Sequence, residues 1–205
     1  MLKLIFFIYQ KIYKKIYFSI SYNITRFYFY INGVSCISFT SVGIPLVDIK
    51  KSSIVKFGSN LVMVNKDRFA TLGKNNRCKF VVSNNANLTM GDKVAMSNTT
   101  VVATKSIFIG DNVMIGGGVT IIDSDFHSLN AAHWHTDLDE KNMKSLPVII
   151  KNNVFIGMDS IILKGVTVGS NSIVAAGAVV FKDIPDFQIW GGNPAVFIKM
   201  NNKKH

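Results

Sequence analysis

Three of the four histidines, His127, His133 and His135, fall within nine residues of one another. A neutral imidazole takes a proton near pH 7 and can also ligate zinc, so the cluster is a candidate general base or a candidate metal set. Two carboxylates lead into it, in the run Asp123-Ser-Asp-Phe-His127. Asp125 has three open roles: orienting the His127 ring, binding an acceptor group, or capping a turn. The only cysteines are Cys36 and Cys78. Two thiols are too few for a disulfide scaffold, which points to a reducing compartment, and both are expected as inert core or surface groups.

The elements that must hold these groups come from a repeat. Its turns are Phe57-Gly-Ser-Asn-Leu61, Leu72-Gly-Lys-Asn-Asn76, Met90-Gly-Asp-Lys-Val94, Ile109-Gly-Asp-Asn-Val113, Ile150-Lys-Asn-Asn-Val154 and Val168-Gly-Ser-Asn-Ser172. Their first residues lie 15, 18, 19, 41 and 18 apart. Ile109, Ile115 and Ile121 recur every six residues, as do Ile150, Ile156, Ile162, Val168, Val174 and Val180. A six-residue unit is one short strand plus one corner, and three units close a triangular coil. The first residue of each unit points inward, and the corner takes Gly or Asn, which tolerate positive φ. One coil cannot bury its interior, but stacked coils can, which predicts an all-β fold of parallel sheets around a single core. Helix is excluded, because the period is not 3.6 and β-branched residues dominate. The 41-residue step is one coil plus an insertion of about 23 residues. Counting 18 from Ile109 lands on His127, so the repeat breaks at that residue. A base or ligand is favoured there over a structural histidine.

The chain has 205 residues, 48% hydrophobic and 17% charged, with a net charge of +11. Five bases precede the first acid, Asp48, leaving +6 scattered over the rest. That layout argues against a nucleic-acid partner. All six tyrosines lie in the first 30 residues, where Ile5, Ile8, Ile12, Ile16, Ile20 and Ile24 mark a helical stripe. Lys11, Lys14 and Lys15 interrupt it too early for a transmembrane span, and no small-residue cleavage site follows the apolar run. The helix either packs on the domain behind it or lies in a membrane interface, and its acid-free, aromatic composition favours the interface. The expected organisation is a basic amphipathic helix over 1–32, a repeat domain over 33–200 with an inserted loop at 128–147, and a polar tail over 201–205. A short helix or tail is expected after the last coil. The expected location is the cytoplasm, peripheral at the inner face of the cytoplasmic membrane.

Ile109–Phe126, Ile150–Pro185, the run Ala175-Ala-Gly-Ala-Val-Val-Phe-Lys-Asp-Ile-Pro185 and Gly192-Asn-Pro-Ala195 resemble the hexapeptide-repeat acyltransferases, sugar and capsular polysaccharide O-acetyltransferases above all, with the maltose and galactoside acetyltransferases as relatives. The resemblance implies a left-handed parallel β-helix, a homotrimer with clefts between subunits, and direct acetyl transfer from acetyl-CoA to a sugar hydroxyl, without a nucleophilic residue. It implies His127 as general base and the backbone N–H of Met158 as oxyanion donor. Ala176 then lies along the pantetheine arm. Phe181 and Lys182 stand where relatives carry Thr-Lys at the phosphate end, so one hydroxyl contact is lost. Lys199 takes a second basic position, and Val196 replaces an Arg. Trp134, in the inserted loop, either stacks on a sugar or anchors the loop. Asn98 lies two residues from a family position that touches the acceptor. Rival readings on the same fold are a xenobiotic acetyltransferase and a γ-type carbonic anhydrase. In the latter, zinc ligands spread over two coils and a subunit boundary, unlike the crowded His127, His133 and His135. No metal is expected.

Overall fold

The computed structural model describes residues 2–65 and 77–201. Three parallel sheets wrap one core as a left-handed β-helix. The first face stacks Ser35–Cys36, Ile54–Phe57, Asn87–Met90, Ser106–Ile109, Val148–Ile150 and Thr167–Val168. The second stacks Phe39–Val42, Leu61–Val64, Ala95–Ser97, Met114–Ile115, Phe155–Ile156 and Ile173–Val174. The third stacks Leu46–Ile49, Lys79–Val82, Thr100–Ala103, Thr120–Ile122, Ile161–Ile162 and Val179–Val180. Each strand is so short that its inward residue is nearly its whole contribution to the core. Ile109, Ile150 and Val168 stack in one column, Ile115, Ile156 and Val174 in the next, and Ile121, Ile162 and Val180 in the third. Among the described residues all nine are buried.

The corner between the first and second faces shows why Gly and Asn recur. Asn60, Lys93, Asn112, Asn153 and Asn171 all take φ between 54° and 59°, a left-handed turn that Asn tolerates well. From Lys93 onward the N–H of that residue donates to the corner carbonyl of the preceding coil, as from Asn112 to Asp92 at 2.8 Å. The residue before it is braced by the next coil: Ser59 N–H donates to Asp92, Asp92 N–H to Asp111, and Asp111 N–H to Asn152. A side chain at Gly91 would enter the backbone of Gly110, 2.9 Å away, so position 91 admits only hydrogen.

The turn Leu72–Asn76 lies outside the described residues, and Phe57 pairs directly with Met90, 33 positions on. The added length of that step lies between Leu61–Val64 and Lys79–Val82. The inserted loop begins before residue 128. Ser124 bridges Ser145, Leu146 N–H donates to the Asp123 carbonyl at 2.9 Å, and Ile109 is followed in its column by Ile150. His127 thus lies inside the excursion and not at an inward coil position.

The N-terminal helix, α1 (Leu2–Ile31), is not separate from the repeat domain. Its last third buries Ser21, Thr25 and Phe29, and Phe29 stands edge-on to Phe39 and Phe57 with ring centroids 5.2 and 5.7 Å away. The open end of a stack of coils exposes its core, and Phe29 plugs it. At the other end the described residues form strands. Gln188–Gly191 continues the second face, and Val196–Met200 pairs antiparallel with it. The Gly192-Asn-Pro-Ala195 turn closes the last coil, with Val179 N–H donating to Gly192 and Ala195 N–H to Val179.

Candidate active site

The excursion over 124–146 springs from the corner between the third and first faces, and its first residues are tied to the coils on both sides. Asp123 is fully buried and accepts from the backbone N–H groups of Thr104, Lys105 and Ser106 and from the Thr104 hydroxyl. That is the coil before it. Asp125 forms an ion pair with Lys164 at 2.6 Å, on the coil after it. Phe126 then takes φ 63°, an uncommon conformation for a large side chain, and turns the chain outward. His127 follows, with 72% of its side chain exposed.

Asp125 does not orient the ring. The carboxylate at His127 is Asp139, whose Oδ2 lies 2.7 Å from Nδ1. Its other oxygen accepts from the Ser128 N–H at 2.7 Å, so one carboxylate clamps two successive residues. Asp139 sits on a short helix, α2 (Asp137–Lys141), whose N-cap is the Thr136 hydroxyl accepting from Leu138 N–H. Thr136-x-x-Asp139 has the spacing of a capping box, and that pattern was the readable signal for this residue. Here the acid reaches across to His127 instead of back to its own cap. Bonding to the His127 ring first, and to the Ser128 N–H second, holds the Asp139 carboxyl below the usual carboxylate range. A carboxylate only accepts, so in the neutral ring Nδ1 carries the proton and Nε2 keeps its lone pair. That is the tautomer of a general base.

Trp134 is both anchor and wall. Its Nε1–H donates to the Ser128 carbonyl at 2.7 Å, while 49% of the residue stays exposed. With His127, His135 and Asp139 it lines a cleft of about 310 Å³. His135 takes φ 62°, a second strained non-glycine residue of this wall. His133 is spent on the loop. Its Nδ1 bonds the Ser128 hydroxyl at 2.9 Å, and its Nε2 accepts from the Asn130 amide. Among the described residues no three His, Cys, Asp or Glu side chains converge on a metal position.

Met158 and Ala176 occupy another edge, the corner between the second and third faces. The backbone there differs from the braced first corner. Among the described residues neither the Met158 nor the Ala176 N–H has an acceptor, while their flanking residues are paired coil to coil. The coils also approach closely: a Cβ on Gly157 would lie 2.8 Å from Ala176 Cα. Ala176 is exposed, and the single strand Val179–Val180 separates it from Phe181 and Lys182 at the next corner. Lys182 Nζ stands 5.5 Å from the Phe181 ring centroid, so the phenyl ring supports the cation. Lys199 is exposed on the last strand, opposite Ile189. Asn98 is buried at a corner with φ 48°, so its side chain is not on a surface an acceptor reaches. One chain thus holds His127 on one edge and the unpaired N–H groups on another, with the third face between them.

Comparison with known proteins follows the same geometry. Residues 147–182 match the family described as bacterial transferase hexapeptide (six repeats). The galactoside O-acetyltransferase of Escherichia coli (strain K12) is 36% identical over 143 residues, 68% of either chain. That of Lactococcus lactis is 38% identical over 100 residues, where the match spans 45% of the relative. Among solved structures, a galactoside acetyltransferase in complex with coenzyme A superposes with a TM-score of 0.56 at 29% identity, over 74% of this chain and 66% of that one. A maltose O-acetyltransferase from Clostridium difficile 630 gives 0.54 at 25% identity, over 83% and 71%. The period-six core, the braced corners and these matches agree: the chain belongs to the hexapeptide-repeat acyltransferase family that includes the galactoside O-acetyltransferases.

Proposed function

We propose that the protein transfers an acetyl group from acetyl-CoA to a hydroxyl of a sugar, on a capsular or other surface glycan, with His127 as general base. The observation that carries this reading is the His127–Asp139 pair in an open cleft walled by Trp134. Acetyl-CoA, when bound, supplies an activated thioester. The fit to it rests on the unpaired N–H groups of Met158 and Ala176, the small exposed side chain of Ala176, and the Lys182 cation. His127 Nε2 takes the acceptor proton as the acceptor oxygen bonds to the acetyl carbon. It returns that proton to sulfur as the carbon–sulfur bond breaks. The Met158 N–H is the type of fixed donor that stabilises charge developing on the carbonyl oxygen. The Trp134 face suits stacking against a sugar ring.

The reading includes a homotrimer with sites shared between chains. Two observations support it. The base and the unpaired donors lie on different edges of one chain, so a site that uses both needs a neighbour. Outside the second face, Val62, Ala95, Met114, Phe155 and Ile173 form an unbroken apolar ladder, with Met114 58% exposed. Such a stripe is suited to cover by another copy. The deciding experiment is acetyl-CoA turnover against lipid-linked sugars, free sugars and antibiotics. Turnover with a sugar is the expected result. Turnover confined to antibiotics, or thiol release with none of the panel acetylated, would overturn the sugar assignment.

A further inference from the structure

The helix α1 presents two different sides. With 100° per residue, Tyr9, Ile12, Ile16, Ile20, Phe27 and Ile31 fall within one arc along its length. Each is more than half exposed. The opposite arc carries Lys3, Lys11 and Lys14 in the first half and the buried Ser21, Thr25 and Phe29 in the second. The side that docks on the coils downstream is therefore the side that bears lysines upstream. The apolar stripe faces away from the β-helix over the whole helix, and the chain's own core cannot cover it. Asn23 is the one polar residue along its centre line.

We propose that this stripe lies in the interface of an anionic lipid bilayer, so that α1 is both the plug of the β-helix and its membrane contact. Three features identify the occupant. The helix has no acid, and its bases, Lys3, Lys11, Lys14, Lys15 and Arg26, lie on or beside the polar side, where they can reach lipid phosphates. Its exposed aromatics, among them Phe6, Phe7, Tyr9 and Phe27, are suited to headgroup depth. No helix among the described residues is long and apolar enough to cross a membrane, which leaves an in-plane arrangement for α1. A second copy is a poorer fit. The isoleucines advance by a steady four residues and drift around the helix, where a coiled-coil seam needs an average of 3.5. Two such helices side by side would also set bases against bases.

The test uses the full chain and vesicles of phosphatidylglycerol with phosphatidylcholine, or of phosphatidylcholine alone, at low and high salt. Flotation with the anionic vesicles at low salt, weakened by added salt, is the expected result. Lys11→Gln/Lys14→Gln/Lys15→Gln should lower partitioning by about a hundredfold, since each lysine near an anionic surface contributes roughly a fivefold step. Ile12→Ser/Ile16→Ser/Ile20→Ser should abolish flotation and leave the oligomer and turnover of a soluble acceptor unchanged. Three results would overturn the proposal: no flotation at low salt, equal flotation with uncharged vesicles, or dissociation of the oligomer by the isoleucine variant. The last would make the stripe a contact between copies. Acetyl transfer is read separately, so failure here leaves the acceptor assignment standing.

Discussion

At the residue scale, the proposed base is His127, bonded to Asp139. His127→Ala should lower kcat/KM by about 10²–10⁴-fold while acetyl-CoA binding, measured by calorimetry, is unchanged. Asp139→Asn is the sharper variant. Its single acceptor oxygen cannot serve both Ser128 N–H and His127 Nδ1, and an amide N–H turned toward the ring favours the wrong tautomer. A loss on the order of 10²-fold in kcat with little change in KM is expected. The pair also sets a pH dependence. The Asp139 carboxyl is held below its ordinary value by the His127 ring and the Ser128 N–H, so the clamp contributes fully above about 3.9, the usual Asp value. It is lost only as pH falls through the lower native value. Trp134 fluorescence, followed in a Trp190→Phe background, should therefore hold steady from neutral pH to below 4 and then change. The thiols titrate the other way. Burial pushes Cys36 up to about 11 and Cys78 up to about 12, so at pH 8 neither should react with a disulfide reagent until the protein unfolds.

At the scale of elements, a β-helix needs its ends closed, because the first and last coils each have an uncovered core. The C-terminal end is closed by the antiparallel strand Val196–Met200 and the turn before it, and the N-terminal end by the last third of α1. Phe29→Ala removes a ring packed against Phe39 and Phe57 and should cost about 3–5 kcal/mol in denaturant unfolding. Truncation before residue 20 should spare that plug, and truncation at residue 30 should not. The excursion obeys a similar rule. It is a long loop whose base is held by Asp123 to one coil and Asp125 to the other, so His127 sits beside a rigid corner although its own side chain is exposed. The two acids before the histidine thus serve position, and a third, twelve residues on, touches the ring.

At the scale of the molecule, His127 is separated from Met158 and Ala176 by a whole face, so the proposed mechanism makes assembly part of catalysis. Mixing tests this directly. His127→Ala chains have intact donor corners, and Ala176→Trp chains have intact bases but a bulky side chain at the exposed corner. Each alone should be nearly inactive. Refolded together in equal amounts, they should regain about one active site in four, because a site drawing on two chains can receive its good half from each. No recovery in mixed oligomers would place both halves of the site within one chain, and sedimentation of the mixture checks that the oligomers form.

The architecture was legible in the linear sequence because a β-helix is built from local rules repeated. Period six, Gly or Asn at corners and a β-branched inward residue each act within a few positions, and the 41-residue step from Ile109 to Ile150 announced the excursion before any strand was placed. His127 was singled out as a break in that regular phase. The contact of Asp139 with that ring was not legible, because it forms only after α2 folds back across the loop, beside the Thr136 cap and the Trp134 anchor. Nor could composition divide α1 into plug and stripe. Its apolar residues lie on more than one side, and which side is buried depends on where the first coil presents Phe39 and Phe57. Local chemistry determines the coil; contacts between distant segments determine which carboxylate holds the base and which face of the helix is left for a partner.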